Sequence, residues 1–280
     1  DSNEIKEIEP FVFGLGAILV SETGIIDYKQ VAQKLAYLIT QINSESKVLI
    51  DSEVVDFKEE SLCSVVVTKK TKFQCSRIIF CGGLFSDRLA KKDNLDLELK
   101  IVGFRGDYYS LKDEARHKVK NLIYPVPNPE FPFLGVHFTR MTTGQIECGP
   151  NAVFTFKREG YKKTDFSFWD TLDALNYIGT WKLFKNHWKF GLNEIIKASS
   201  KHVFLNNLRK MIPSLMINDI EEGRSGVRAM ALGRDGDVID DFKIMSVGKN
   251  IHVLNAPSPA ATACLAIGES ICQEFLKCNN

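Results

Sequence analysis

Arginine, histidine and tyrosine crowd the middle of the sequence: Arg105, Tyr108, Tyr124, His137 and Arg140, joined further on by Arg228. Guanidinium groups grip carboxylates through two parallel hydrogen bonds, and an imidazole exchanges a proton near neutral pH. The segments that carry them are strand-like, and strand alternation sends part of the set to one face of a sheet. A pocket for a small acid is the chemistry this composition suits. The other reading is that surface arginines and a packed histidine decorate the strands independently.

Two further constellations are built from small residues. The apolar run Arg77-Ile78-Ile79-Phe80-Cys81 ends in Gly82-Gly83 ahead of a helical stretch over 85–91. Glycines let backbone come close to a ligand, and amides at a helix start suit a polar or anionic group. The string Asn255-Ala256-Pro257-Ser258-Pro259-Ala260-Ala261-Thr262 lies between a strand and a helix expected to start near Ser258-Pro259, with the proline at its first position. Its positive end would face whatever binds there. A tight turn and a helix cap are the plain alternatives.

Other chemistries find no support. No serine lies in Gly-x-Ser-x-Gly, no Walker loop is present, and Gly14-Leu15-Gly16 runs on into Ala-Ile-Leu without completing GxGxxG. The seven cysteines are scattered, without metal-ligand spacing, and read as free thiols. Lys+Arg 36 against Asp+Glu 35 gives a formal charge of +1, so no field gathers nucleic acid, and none is expected as a partner. The apolar runs fall short of the about 20 residues a bilayer span needs.

Periodicity supplies the elements that must position these groups. A helix is expected after Asp27, with Val31, Leu35, Leu38, Ile39 and Ile42 on one buried stripe. Strands follow at 47–50, 53–57 and 64–68, with a basic hairpin tip at 69–72. More strands are expected at 100–111, 122–126, 134–140 and 145–148, in an antiparallel sheet. Residues 166–212 switch to helical spacing, and their aromatic face, with Trp169 and Trp181, is expected to pack between helices. Strands return at 226–232 and 251–254 before the last helix.

Taken together, several strings resemble one family: Thr23-Gly24-Ile25-Ile26-Asp27-Tyr28, Ile79-Phe80-Cys81-Gly82-Gly83-Leu84-Phe85-Ser86-Asp87-Arg88, Phe104-Arg105-Gly106-Asp107-Tyr108-Tyr109, Phe131-Pro132-Phe133-Leu134-Gly135-Val136-His137-Phe138-Thr139, Gly226-Val227-Arg228-Ala229 and Asn255 to Thr262. The chain resembles the L-2-hydroxyglutarate dehydrogenase family among the D-amino-acid-oxidase-like flavoproteins. That resemblance implies an FAD enzyme oxidising a 2-hydroxy dicarboxylate and passing electrons to an acceptor, for which a quinone or an electron-transfer flavoprotein is conceivable. It also implies a mitochondrial location in eukaryotes. Family members carry a βαβ unit with GxGxxG for the FAD pyrophosphate that these 280 residues lack.

The expected fold is therefore α+β, an FAD-dependent oxidoreductase (D-amino-acid-oxidase-like) fold. It has an incomplete FAD domain over 24–93 and 223–280, an inserted antiparallel-sheet substrate domain over 94–222, and a substrate-side segment over 1–23. His137 is the expected catalytic base. Arg105, Tyr124, Arg140 and Arg228 are the expected substrate contacts, and Gly82, Gly83, Asn255, Ser258 and Thr262 part of the FAD site. Two other readings stay open: an inactive fragment without the nucleotide-binding unit, and a related flavoenzyme acting on another 2-hydroxy or amino acid.

Overall fold

The computed structural model describes residues 1–126 and 135–277. In chain order its elements are α1 (Ser2–Ile8), α2 (Tyr28–Ile42), β1 (Val54–Glu59), β2 (Ser64–Thr68), β3 (Lys72–Cys75), β4 (Ile79–Phe80), α3 (Ser86–Lys92), β5 (Leu99–Leu111), β6 (His137–Arg140), β7 (Ile146–Gly149), β8 (Val153–Phe154), α4 (Phe168–Leu175), α5 (Ile178–Ser199), α6 (Lys201–Leu208), β9 (Ile220–Gly233), β10 (Lys243–Val247), β11 (Asn250–Asn255) and α7 (Cys264–Lys277). The chain divides into two units, one of residues 1–27 and 103–228, the other of 28–102 and 229–280. Two of the breaks, at 102/103 and 228/229, fall inside β5 and β9, where the fold reading of the sequence has them at 93/94 and 222/223.

In the first unit, β6, β7, β5 and β8 form an antiparallel sheet, with β9 also paired to β5. Alternation gives this sheet a largely apolar face. Tyr109 and Leu111 of β5, Phe138 of β6, and Ile146 and Cys148 of β7 pack on Phe204, Leu205 and Leu208 of α6 and on Ile212 and Leu215 beyond it. At roughly 25 cal/mol per Å² of apolar surface removed from water, this cluster is the main source of the unit's stability.

The second unit is built differently. β1, β2 and β3 make an antiparallel meander, with the basic turn at 69–71 as its tip. A separate sheet has the order β10, β11, β4, and in it β11 and β4 run parallel, Ile251 beside Ile79 and His252 beside Phe80. Its buried cluster is small: Ala90, Leu97, Leu99, Ile101, Ala231 and Leu254. Neither α2 nor α7 buries a residue completely, so the stripe expected to be buried on α2 leaves Leu38, Ile39 and Ile42 exposed.

Several sequence expectations change. Residues 47–50 form no strand, and Val48, Leu49 and Ile50 are exposed, since β-branched composition alone cannot make a strand without a pairing edge. Of 122–126 only Ile123 pairs, as an isolated bridge to Phe138. Leu134 and the string Phe131-Pro132-Phe133-Leu134 lie outside the described residues. The last helix starts at Cys264, because Ala260–Ala263 first wind a short 3-10 turn capped by Pro259. Trp169 and Trp181 do not pack between helices but stand in solvent.

Candidate active site

The polar face of the first unit's sheet follows from the same alternation that makes its core. With Phe138, Ile146, Cys148 and Tyr109 committed inward, His137 and Thr139 of β6, Glu147 of β7, and Tyr108 and Ser110 of β5 turn the other way. Register places them as neighbours: Thr139 opposite Glu147, and Ser110 opposite Glu147. Arg224 and Arg228, on alternate positions of β9, add two positive charges. Arg224 forks onto Glu147, with Nε to Oε1 at 2.8 Å and Nη2 to Oε2 at 3.0 Å. Gly223 lets β9 come this close, because a Cβ there would lie 3.1 Å from the Tyr108 carbonyl oxygen.

His137 is buried and held on two sides. Its Nδ1–H donates to the Gly135 carbonyl at 2.9 Å, and its ring stacks on Tyr124 with centroids 4.4 Å apart and planes inclined by 21°. A carbonyl can only accept, so Nδ1 carries the proton and Nε2 keeps its lone pair. Burial holds the imidazole below its ordinary pKa. The bond to Gly135 opposes that shift, and the positive charge of Arg228 adds to it. The result at neutral pH is an uncharged, fixed imidazole with one basic nitrogen.

Tyr108 reports on the same cluster. Burial pushes its phenol up, Arg228 and Arg224 draw it down, and Glu147 and Tyr124 push it up again. Tyr124 is half exposed, and its hydroxyl lies 3.5 Å from Thr139 Oγ1. The surface is thus a basic nitrogen flanked by an aromatic wall and positive charge, suited to an acid that must lose a proton.

Two expected substrate contacts do not join it. Arg105 is buried with its guanidinium on Asp107, Nε to Oδ1 at 2.7 Å, and Nη1 on the Lys162 carbonyl at 2.9 Å. Arg140 donates from Nε to the Lys120 carbonyl at 2.7 Å and from Nη2 to that of Val119. Parity explains both, since Arg105 shares a face with Tyr109 and Arg140 with Phe138, opposite to Tyr108 and His137. Tyr108 was named from the sequence among the polar side chains of this stretch but given no role, and Glu147 and Arg224 were not named. Offsets of two along each strand carry the signal, but it can be read only once the core face is known.

In the second unit, parallel pairing does the positioning. Because β4 and β11 run the same way, the turn after β4 and the loop after β11 emerge at the same end of the sheet, although about 170 residues separate them. Ligand sites form at such carboxyl ends in open α/β sheets. Ser86 Oγ donates to the Leu254 carbonyl at 2.7 Å, and His252 Nε2 donates to Asp93 Oδ2 at 2.8 Å, so both ends of α3 are fastened to β11. His252 also stacks on Phe80, centroids 4.4 Å apart.

The two glycines differ. A Cβ on Gly82 would come within 2.5 Å of Leu89 Cδ1, so this glycine admits α3, whereas Gly83 has a left-handed φ of 52° and open space above it. Ser258 and Thr262 are exposed, with Thr262 Oγ1 on the Pro259 carbonyl at 2.9 Å. Asn255 is buried, and its amide donates to the carbonyls of Ile239 and Asp241, each at 2.8 Å. It anchors a loop and does not face a ligand. Open backbone at Gly83, at the same end of the sheet as the exposed loop through Ser258 and Thr262, fits a phosphate-bearing or otherwise polar group.

The family model described as FAD dependent oxidoreductase matches residues 1–274. The L-2-hydroxyglutarate dehydrogenase of Indibacter alkaliphilus is 45% identical over 276 residues, covering 98% of this chain and 69% of that protein. The mitochondrial L-2-hydroxyglutarate dehydrogenase of Homo sapiens is 41% identical over 286 residues, covering 97% of this chain and 62% of that one. The chain thus spans about two thirds of the length of these relatives. Among solved structures, the FAD-bound L-alpha-glycerophosphate oxidase of Mycoplasma pneumoniae superposes with a TM-score of 0.68 at 19% identity, over 99% of this chain and 62% of that chain. That likeness establishes the fold, and the sequence matches establish kinship: the chain belongs to the FAD-dependent oxidoreductase family, in its L-2-hydroxyglutarate dehydrogenase branch.

Proposed function

We propose that this chain serves FAD-dependent oxidation of L-2-hydroxyglutarate to 2-oxoglutarate, with the electrons passed on to an acceptor. The observation that carries the reading is the His137 imidazole, neutral and oriented by Gly135, with Arg228 close enough to depress its pKa. Such a group removes the hydroxyl proton of a 2-hydroxy acid through Nε2, and the nearby guanidinium holds a carboxylate. Tyr124 fixes the ring by stacking and closes one side of the substrate's place. Arg105 and Arg140 act at a distance, keeping β5, β6 and the 119–120 segment in register.

FAD, when bound, supplies the acceptor for the hydride that leaves the α-carbon. Gly83 and the exposed loop through Ser258 and Thr262 would hold part of it, with Gly82 and Asn255 shaping that loop pair from beneath. A mitochondrial place for this protein is supported by its eukaryotic relatives, named as mitochondrial. Bacterial relatives carry no such word, and fractionation of source cells tests it.

The test of the reaction is anaerobic. Flavin-loaded intact protein is mixed with L-2-hydroxyglutarate, its D enantiomer, L-lactate and glycine, and the flavin absorbance is followed. Bleaching by the L enantiomer well ahead of the others is expected. Preferential bleaching by an amino acid would overturn the assignment of substrate while leaving the flavin assignment standing.

A further inference from the structure

We propose that Arg224, set in place by Glu147, holds the carboxylate at the far end of the substrate and so selects diacids over monoacids. The inference rests on the oxidation of a 2-hydroxy dicarboxylate proposed above, and it assigns the second acid group, for which that reading names no partner. Glu147 is the starting point. Its side chain is only 9% exposed, and a buried carboxylate needs donors of its own. Arg224 supplies them from one edge of its guanidinium, Nε–H to Oε1 and an Nη2–H to Oε2. A guanidinium has five N–H groups in one rigid plane, and this grip uses two. The other three include the pair at its tip, one on Nη1 and one on Nη2, spaced for a second carboxylate. Nothing among the described residues takes that tip, and the Arg224 side chain is 64% exposed while Glu147 is shut in. An ion pair between two exposed groups would ask for no further reading. Here a buried group orients and an open one is presented.

Placement puts the tip beside the reacting groups. Arg224 and Arg228 lie four residues apart on β9 and so share the face that carries His137, Thr139, Glu147 and Tyr108. Strand rise separates their Cα atoms by about 13 Å, a gap that two converging arginine side chains and a five-carbon diacid close together. Register sets Glu147 opposite Thr139, two residues along β6 from His137, so the ion pair stands one row from the base. The Tyr108 phenol responds to both guanidiniums and to Glu147, which groups all three charges around one buried ring. Of the two arginines, Arg228 is the one that depresses the His137 imidazole. Arg228 therefore serves the carboxylate next to the reacting carbon, and Arg224 the one at the other end.

The test reads binding apart from turnover. Intact flavin-loaded protein is titrated anaerobically with glutarate and with pentanoate, which share a carbon chain and differ by one carboxylate, and the change in flavin absorbance gives each Kd. The unaltered protein should prefer glutarate, and Arg224→Gln should cut that preference roughly 10- to 100-fold, the worth of hydrogen bonds between charged groups. The preference in kcat/KM for L-2-hydroxyglutarate over L-2-hydroxypentanoate should fall by a similar factor, mostly through KM, because the far contact is the same before and during hydride transfer. Arg224→Gln also strips Glu147 of its partner, and a bare carboxylate would repel a diacid unaided. The double variant Arg224→Gln with Glu147→Gln removes that charge and sets two amides face to face, so it also serves if the single variant does not fold. A preference still lost in the double variant supports the proposal. A preference restored there would mean that Arg224 only neutralises Glu147, and equal binding of glutarate and pentanoate by the unaltered protein would mean that no far subsite exists; either overturns the proposal. Failure of the wider reading looks different: glutarate would be preferred through Arg224 while L-2-hydroxyglutarate left the flavin unbleached, so the diacid subsite would stand and the reaction assigned to it would fall.

Discussion

The first unit finishes its own core and the second does not. In the former, a long strand, three partners and α6 shut Phe138, Ile146, Leu111, Phe204 and Leu208 completely away from water. In the latter, the buried cluster has six members, two of them alanines, and no residue of α2 or α7 is completely buried. An antiparallel sheet built from neighbouring strands can complete itself, with one face dry and one wet. A parallel pair such as β4 and β11 needs cover on both faces, and here β11 is buried at every position while Ile79 of β4 is 40% exposed. The polar face of the first sheet is where the candidate base lies, and the carboxyl end of the parallel pair in the second is where the cofactor loops emerge.

The largest effect expected from this contrast is in the first core. Phe138→Ala removes a ring that touches both β7 and the helix side, and should cost roughly 3 to 5 kcal/mol, measured by chemical denaturation. A loss below about 1 kcal/mol would mean that the sheet's apolar face is not the seat of stability.

On the polar face the effects fall on rate. His137→Ala in the flavin-loaded intact protein should lower kcat by roughly 10² to 10⁴, the usual worth of a positioned general base, with little change in melting temperature. Since burial and Arg228 depress the imidazole, kcat/KM should fall only as pH drops below the ordinary histidine value of 6.5. A working base must be unprotonated, so the limb lies on the acid side. Arg228→Gln removes a positive charge and should move that limb up toward the ordinary value while raising KM. Arg228→Lys keeps the charge but loses the two-pronged grip, so it should raise KM and leave the limb near its place. An unmoved limb in Arg228→Gln would separate the two residues.

How much of this could be read beforehand depended on the range of the interaction. The helix after Asp27, the β2–β3 hairpin, the strand over 100–111 and the Gly82-Gly83 turn were legible, because each is set by local spacing and turn residues. The failures have a common cause. Residues 47–50 have strand composition but find no pairing edge, and Trp169 and Trp181 have core composition but no opposing helix. At the site, Arg140 lies three residues from His137 and so on the opposite face, a parity that only the position of the core reveals. Arg105 lies on that opposite face as well, and a carboxylate two residues along its own strand, Asp107, takes its fork. The proximity of Gly83 to the loop after Asn255 depends on a parallel register that no local signal encodes.

Smaller effects are expected in the second unit. Gly83→Ala puts a side chain at a φ of 52°, which should cost about 1 to 2 kcal/mol in stability and speed the loss of flavin on dialysis, because the Cβ would also occupy the open approach to the backbone. Gly82→Ala meets only the tip of Leu89, a flexible group, so flavin retention should fall less. Equal retention in both variants would remove Gly83 from the cofactor site.

The smallest effect is the most discriminating. Leu265 opens α7 and is 73% exposed, so Leu265→Ala in the 280-residue chain should change stability by no more than about 0.5 kcal/mol. The same substitution in the intact protein need not agree. The relatives are longer than this chain by about a third of their own length, and a segment lying on α7 would bury Leu265 and raise the cost to roughly 2 kcal/mol or more, the range for a buried leucine. Paired denaturation curves of the two lengths, with and without the substitution, therefore measure whether the second unit is finished from outside these residues. Equal small losses in both would mean that α7 remains uncovered, and the contrast between the two units would then be a property of the whole protein.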